Sequence, residues 1–312
     1  MLENAVPETI LTHPAFADDF PDPFVLRVGS QYYAYATNTS SCNVQVLRAC
    51  NAPNRWEWVG EGLPKLPGWA TSYEKLTWAP AVLERNGRYI MFYTARATDM
   101  YVQSISMAVA DSPTGPFIDN STRPLICPSL LGGAIDPSPF IDADGKAYLL
   151  WKNDGNARKL RTSLWIQELS ADCLSLVGEV VELIHEDQDW EYPLIEGPSM
   201  VLHAGKYYLF YSANDYKSAN YAIGYAIGDS PLGPFVKPLS APWLSSFSNV
   251  LGPGGQEFFS DESGSLWMAY HAWTVGNVGY PGGKRSLFIE RVVFQNGAPI
   301  LARFAETPPS LS

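Results

Sequence analysis

An all-β fold, a five-bladed β-propeller with four antiparallel strands per blade, is what this 312-residue sequence predicts, on three observations. The first is a repeat. The string "DPFVLRVGSQYYAYATN" (22–38) returns as "APAVLERNGRYIMFYTA" (79–95), "DPSPFIDADGKAYLLWKN" (136–153), "EGPSMVLHAGKYYLFYSAN" (196–214) and, most loosely, "GPGGQEFFSDESGSLWMAYHAW" (252–273). The second is its spacing. Pro23, Pro80, Pro137, Pro198 and Pro253 fall 57, 57, 61 and 55 residues apart, which leaves room for four strands in each unit. The third is that no helix-length window holds a sustained 3.6-residue apolar period.

Each element of the repeat has a local reason. The proline suits a strand entrance, where no ladder donor is needed. An apolar run follows, then a turn containing Gly, Asn-Gly or Asp-Gly, then an aromatic-rich second strand, which is the pattern of a hairpin. On this reading "DADG" (142–145), although it looks like the start of a calcium loop, is the hairpin turn of the third unit. The second halves echo one another too, "VADSPTGPF" (109–117) against "IGDSPLGPF" (227–235). Radial repetition of such sheets leaves only short, protected edges. A β-helix or sandwich is the alternative, but its strands lack so long a repeat. No linker or shift in composition interrupts the series, so one domain over 1–312 is expected.

Composition narrows the partners. Hydrophobic residues make up 46% and aromatics 13%, enough to bury a sizeable core. The net charge of −11 and pI of about 4.8 oppose nucleic-acid binding, which needs clustered Lys and Arg, and suit a neutral substrate. No 18-residue apolar stretch is present to span a bilayer, so no membrane partner is expected. The start "MLENAVPETILTHPAF" lacks the basic residues and apolar run of a signal peptide, which predicts a cytoplasmic protein. A leader removed ahead of this start would make it a secreted one. Cys42, Cys50, Cys127 and Cys173 show no C-x-x-C spacing. They read as four free thiols, with a Cys42–Cys50 bridge across a hairpin as the alternative for an oxidising compartment.

In a propeller the first strand of each blade lines the axis, so residues just ahead of those strands converge at one mouth of the channel. Asp22, Asp136 and Glu196 hold that place in repeats one, three and four, while Ala79 and Gly252 hold it in repeats two and five. Glu196 lies two residues before its proline and the aspartates one, so the match is imperfect. Convergent carboxylates raise one another's pKa and cost stability unless they are used. Calcium binding would want further oxygen ligands at close spacing. Glycoside hydrolysis needs one carboxylic acid to protonate the leaving oxygen and one carboxylate to activate water or attack the sugar. A third carboxylate could keep the acid protonated near neutral pH.

The motifs "DFPDPFVLRVGSQYYAYAT", "WAPAVLERNGRYIMFYTA", "IDPSPFIDADGKAYLLWK", "IEGPSM" and "MAYHAW", in this order at blade spacing, resemble those of glycoside hydrolase family 43, five-bladed propellers acting on arabinosides and xylosides. The resemblance implies an inverting enzyme with Asp22 as general base, Asp136 as pKa modulator and orienter, and Glu196 as general acid. It also implies Trp78 beside the sugar, with Phe24 as an apolar wall, and Arg285 near the base. His271 would face the axis and hold a hydrated cation, often calcium, that the chemistry itself does not require. Ordinary structural roles compete for each of these: a strand-entry turn for the acids, a core position for Trp78 and His271, a solvated charge for Arg285. His13, His185 and His203 match nothing and read as loop residues.

Two rivals remain at this point. Retaining fructosidase-like propellers also use Asp, Asp and Glu, but with Asn before the first, Arg before the second and Cys after the third, where this chain has Pro21, Ile135 and Gly197. A non-catalytic sugar-binding propeller would not need all three acids. Within the family, the wording of "WAPAVLERNGRYIMFYTAR", "AIDPSPF" and "IEGPSM" looks most like exo-acting α-L-arabinofuranosidases cleaving arabino-oligosaccharides or arabinoxylan fragments. A β-D-xylosidase or endo-arabinanase on the same triad is the alternative.

Overall fold

The computed structural model describes residues 12–304 apart from 75 and 275, so most of the stretch read above for a leader lies outside it. Blade one is β1 (Phe24–Val28), β2 (Gln31–Ala36), β3 (Gln45–Cys50) and β4 (Glu57–Glu61). Blade two is β5 (Trp78–Arg85), β6 (Arg88–Ala97) and β7 (Val102–Ala110). Blade three is β8 (Ala134–Ile141), β9 (Ala147–Asn153), β10 (Ser163–Leu169) and β11 (Leu176–His185). Blade four is β12 (Ile195–His203), β13 (Lys206–Ala213), β14 (Ala222–Gly228) and β15 (Phe235–Val236). Blade five is β16 (Val250–Ser260), β17 (Leu266–Thr274), β18 (Arg285–Gln295) and β19 (Ala298–Leu301). Each sheet is a meander of sequential antiparallel strands. The first strands neighbour one another in the cycle β1, β5, β8, β12, β16 and back to β1, which closes the ring of a five-bladed propeller.

The apolar side chains fill the gaps between blades, and the strand period of two explains how. On β13, Tyr208 and Phe210 pack towards Met268 and Phe288 of blade five. The alternate residues Leu209 and Tyr211 pack towards Leu150 and Ile166 of blade three. On β9, Leu149 and Trp151 turn the other way, towards Leu83 and Phe92 of blade two. Tyr35 and Val46 meet Val82 and Met91, and Tyr32 and Leu47 meet Ala269 and Leu287, completing the circle. Each such large side chain, fully buried, is worth about 1.5–3 kcal/mol of transfer free energy. The N-terminal segment ties the ends together, with Phe16 bridging Leu287 of β18 and Thr12 bonded to Asn249.

Two details depart from the expected repeat. Blade two has three strands, its fourth being reduced to the isolated Val109–Ile118 bridge. In blade four the equivalent segment makes two pairs, Ile227 with Val236 and Gly228 with Phe235. In blade two the Phe117 N–H that would extend the ladder is donated instead to the Gly62 carbonyl of blade one, at 2.8 Å. The second departure is in blade five. The first strands of blades two to five have a bulge at the axial end, in which a residue of positive φ separates two paired ones, and in blade one the positive-φ residue, Asp22, lies just ahead of β1. The bulge lies between Glu196 and Ser199 in blade four and between Gly254 and Glu257 in blade five. The equivalent of Gly197-Pro198 is therefore Gly255-Gln256, not Gly252-Pro253, which forms a separate bulge three residues earlier.

The cysteines are free. Cys42 is buried just ahead of β3 and Cys50 is exposed at its far end, so the two lie along one strand and not across a hairpin. His185 and His203 close β11 and β12 instead of lying in loops, and the His203 ring stacks on Phe294 at 3.8 Å.

Candidate active site

The axial bulge decides which side chains meet. Asp22, Ala79, Asp136, Gly197 and Gly255 all have φ between 44° and 59°, a region that residues other than Gly seldom enter. For a non-Gly residue it costs of order 1–3 kcal/mol and persists only where the surroundings hold it. At these five equivalent positions only blades one and three carry acids. Blade five cannot carry any side chain there: a Cβ on Gly255 would lie 2.6 Å from His271 Nδ1 and 3.1 Å from Asp22 Oδ1. Glu196 occupies the position one residue earlier, paired with Ser212 of β13, the same position that Trp78 holds opposite Thr94 in blade two. The register offset seen in the sequence is thus real, and it brings the third acid to the mouth from the neighbouring position of its bulge.

A chain of hydrogen bonds passes from blade to blade around the axis. The Ala79 N–H donates to Thr37 Oγ1 (2.9 Å), Asp136 N–H to Thr94 Oγ1 (3.3 Å), Gly255 N–H to Ser212 Oγ (2.9 Å) and Asp22 N–H to His271 Nδ1 (3.0 Å). In four junctions the acceptor sits at the same place on the second strand of the preceding blade. At the fifth this place is taken by Lys152, whose ammonium has no lone pair to offer. There the Gly197 N–H is accepted by Asp136 Oδ2 instead, at 3.0 Å.

These contacts separate the environments of the carboxyl groups. Asp22 receives Thr37 Oγ1 on Oδ2 at 2.6 Å and Arg285 Nη1 on Oδ1 at 3.3 Å. Burial pushes its carboxyl up, but Arg285, then His271 and Thr37, outweigh it and hold Asp22 below its ordinary value. His271 is pushed down to about 3 by burial and then by Arg285, so at neutral pH the imidazole is uncharged and the hold on Asp22 falls to Arg285 and Thr37. Asp136 goes the other way. Burial first, then the charge of Glu196, raise it well above the carboxylate range, against the pull of Lys152 and the Gly197 N–H. Glu196 accepts Tyr221 Oη on Oε1 at 2.8 Å and Lys152 Nζ on Oε2 at 3.2 Å. Two titratable groups pushed apart by their surroundings are what acid/base chemistry at one pH requires.

Asp22, Asp136 and Glu196 share one cavity of about 850 Å³ whose wall includes Trp78, Phe24 and Arg285 and draws residues from all five blades. Phe24 opens β1 and is largely buried between blades one and two. Arg285 is no solvated surface charge. It is 8% exposed, lies over the Tyr216 and Tyr280 rings at 4.7 and 5.6 Å, and donates to Tyr280 Oη. His271 is buried on the axis, where the sequence resemblance puts a residue that holds a hydrated cation. With Nδ1 accepting the Asp22 N–H, the neutral ring carries its proton on Nε2, a donor without a hydrogen-bond partner. Such a donor fits a water of a hydrated ion, not the ion. Among the described residues no group of three or more His, Cys, Asp or Glu side chains could hold a metal.

Sequence reasoning missed Thr37, Lys152, Tyr221 and Tyr280. Lys152 carried a signal, an uninterrupted apolar run "AYLLW" leading into a lysine where other blades place Thr, Ser or His. Tyr221, which also stacks parallel to His271 at 5.9 Å between ring centres, carried none.

A five-bladed propeller whose axial mouth holds three carboxyl groups in contrasting environments belongs to the class of propeller glycoside hydrolases. The chain is a member of glycosyl hydrolases family 43, whose family model matches residues 11–299. A crystal structure of a thermostable family-43 glycoside hydrolase superimposes with a TM-score of 0.83 at 33% identity, covering 93% of this chain and 96% of that one. The beta-D-galactofuranosidase xynD of Aspergillus niger is 24% identical over 96% of this chain and 87% of its own length. The arabinan endo-1,5-alpha-L-arabinosidase B of Emericella nidulans is 25% identical over 89% of this chain and 82% of its own.

Proposed function

We propose that the protein is an inverting, exo-acting glycoside hydrolase that removes terminal α-L-arabinofuranosyl residues from arabino-oligosaccharides or arabinoxylan fragments. Asp22 is the general base that activates water, Glu196 the general acid that protonates the leaving oxygen, and Asp136 the residue that shares a proton with Glu196, so modulating its pKa, and orients the sugar. The observation that carries this reading is the split between the acids: Asp22 is kept ionised by Arg285 and Thr37, while Asp136 is raised beside Glu196. Trp78 and Phe24 wall the sugar subsite, where an apolar face suits the carbon face of a ring. The relative named as a galactofuranosidase acts, by that name, on a five-membered sugar ring, as proposed here.

The test is a panel of nitrophenyl α-L-arabinofuranoside, β-D-xyloside and β-D-galactofuranoside, followed by linear arabino-oligosaccharides. The arabinofuranoside should be cleaved fastest, and the oligosaccharides should lose single residues. Proton NMR in the first minutes should show β-arabinofuranose before its anomer, because water activated by Asp22 arrives opposite the leaving group. An α-anomer appearing first would sink the base assignment, and oligomeric products from arabinan would move the protein to the endo-arabinanases.

No chemical step is assigned to a cation. His271 offers Nε2–H to water, so a calcium or other hydrated ion on the axis would be met through its water shell. Exhaustive chelation is expected to leave kcat unchanged. Loss of kcat restored only by calcium would overturn this.

A further inference from the structure

Among the described residues Lys152 is the one lysine whose side chain is wholly buried at the mouth of the axis (0% exposed), and the family reading leaves it without a task. It ends the run "AYLLWK" on β9, at the place where the other blades put Thr37, Thr94, Ser212 and His271. Those four accept the next blade's N–H. Lys152 cannot, and its presence turns two groups instead: Asp136 Oδ2 takes over the Gly197 N–H, and Glu196 receives the ammonium on Oε2. An unpaired buried ammonium is costly, so a lysine here must be answered by its neighbours. The charged and titratable groups facing it are Glu196 at 3.2 Å, Asp154 at 3.8 Å and Asp136, with Arg96 acting on Asp154 from β6 and Tyr221 on the far oxygen of Glu196. Asn156 Oδ1 completes the ammonium's bonds at 2.6 Å.

We propose that Lys152 is a positioning residue of the reaction: it fixes Oε2 of Glu196 as the accepting oxygen, so that the transferable proton sits on Oε1, and it balances the charge left on Glu196 once that proton has gone to the leaving group. This rests on Glu196 being the general acid. An ammonium only donates, so Oε2 stays the carbonyl oxygen in the protonated carboxyl, and Oε1 keeps a lone pair for the proton beside the Tyr221 hydroxyl. The balance is that of the proposed cleavage: the Glu196 O–H and the glycosidic C–O bond break, the leaving-group O–H and the bond from water to the anomeric carbon form, the water's proton goes to Asp22, and the new carboxylate of Glu196 faces Lys152. The same charge sets how many protons Asp136 and Glu196 hold together. Burial and the charge of Glu196 push Asp136 up, towards a proton kept between the two carboxyl groups, and the ammonium opposes that push. Without the ammonium the pair keeps that proton to higher pH.

The experiment measures kcat/KM against pH, and kcat and KM at the optimum, for the whole protein and for Lys152→Met, using aryl arabinofuranosides whose leaving groups span several pKa units. Lys152→Thr, which restores the axial acceptor of blades one and two, is measured beside it in case the methionine variant fails to fold, with thermal unfolding as the check. The basic limb should move to higher pH by about one unit. At the optimum, kcat should fall about tenfold or more for poor leaving groups and little for good ones, with KM nearly unchanged. A limb that stays in place, with activity lowered evenly across pH and leaving groups, would overturn the proposal and leave Lys152 a packing residue. Glu196→Gln in the same panel keeps the two readings apart. If it harms all leaving groups alike, the acid assignment fails and this proposal falls with it. If it spares the good ones while Lys152→Met leaves the limb in place, the acid stands and only the positioning role is lost.

Discussion

Asp22→Asn is expected to lower kcat by about 10²–10⁴-fold on every glycoside tested, whatever its leaving group, because no carboxylate remains to take the proton of the attacking water. The substitution is nearly isosteric, yet the surroundings are built for an anion. Thr37 Oγ1 donates to one oxygen and Arg285 Nη1 to the other, so the amide must set its NH₂ against one of these donors. Arg285 also loses its buried counter-charge, and removing one partner of a buried pair costs about 3–5 kcal/mol. The rings of Tyr216 and Tyr280 on which the guanidinium lies keep part of its stabilisation. The melting temperature should therefore fall as well, and rates must be referred to folded protein.

Glu196→Gln is the contrast. On the proposed assignment it removes only the proton donor, so an activated nitrophenyl leaving group, which departs without help, should be nearly spared. An alkyl or sugar leaving group should lose most of its rate. A leaving-group dependence in Asp22→Asn, or its absence in Glu196→Gln, would mean that the two roles have been exchanged or misassigned.

That the acids could be found in the sequence at all follows from the bulge. A left-handed residue just before a proline is a local demand repeated on the axis in four of the five blades, and a repeat of local demands is legible without a structure. The same logic misled in blade five. "GPGGQ" contains two left-handed glycines three apart, and the proline follows the wrong one, so Gly252-Pro253 was read where Gly255-Gln256 lies on the axis. Blade two was read with four strands because "VADSPTGPF" matches "IGDSPLGPF". What the strings do not record is that Gly62 of the neighbouring blade competes for the Phe117 N–H. The second layer of the site was hidden for a related reason. Thr37, Lys152 and Ser212 act through a register that joins each blade to the next, and Tyr221 enters from just ahead of a third strand. Contacts between blades leave no periodic trace in the chain. The family resemblance supplied Arg285 and His271, but it could not say that His271 is turned with Nε2 as a donor.

The raised carboxyl was expected to be the acid, held protonated by Asp136. In the structure the upward shift falls on Asp136 itself, from burial and then from Glu196, which makes the proton a property of the pair. Asp136→Asn should therefore move the basic limb of kcat/KM towards acid pH. The sign follows from the charge removed. With Asp136 ionised, taking the last proton from the pair creates a second negative charge beside the first. With asparagine it creates only one, facing Lys152 and Tyr221, so the proton leaves at lower pH. The asparagine carbonyl can still accept the Gly197 N–H, so the bulge should persist and the change should be electrostatic. One other group could imitate the limb. Glu257 of β16 lines the same cavity and is pushed up to about 7 by burial, against hydrogen bonds from Ser138 and Ser199. Glu257→Gln must leave the limb where it is for the pair to be its source. Asp136→Asn and Lys152→Met then carry opposite signs, the first removing a negative charge from the pair's surroundings and the second a positive one. If both act on the same proton, the double variant should titrate close to the unaltered protein even though each single variant does not. A basic limb that ignores Asp136→Asn, with activity reduced evenly at every pH, would leave Asp136 as a residue that only orients the sugar.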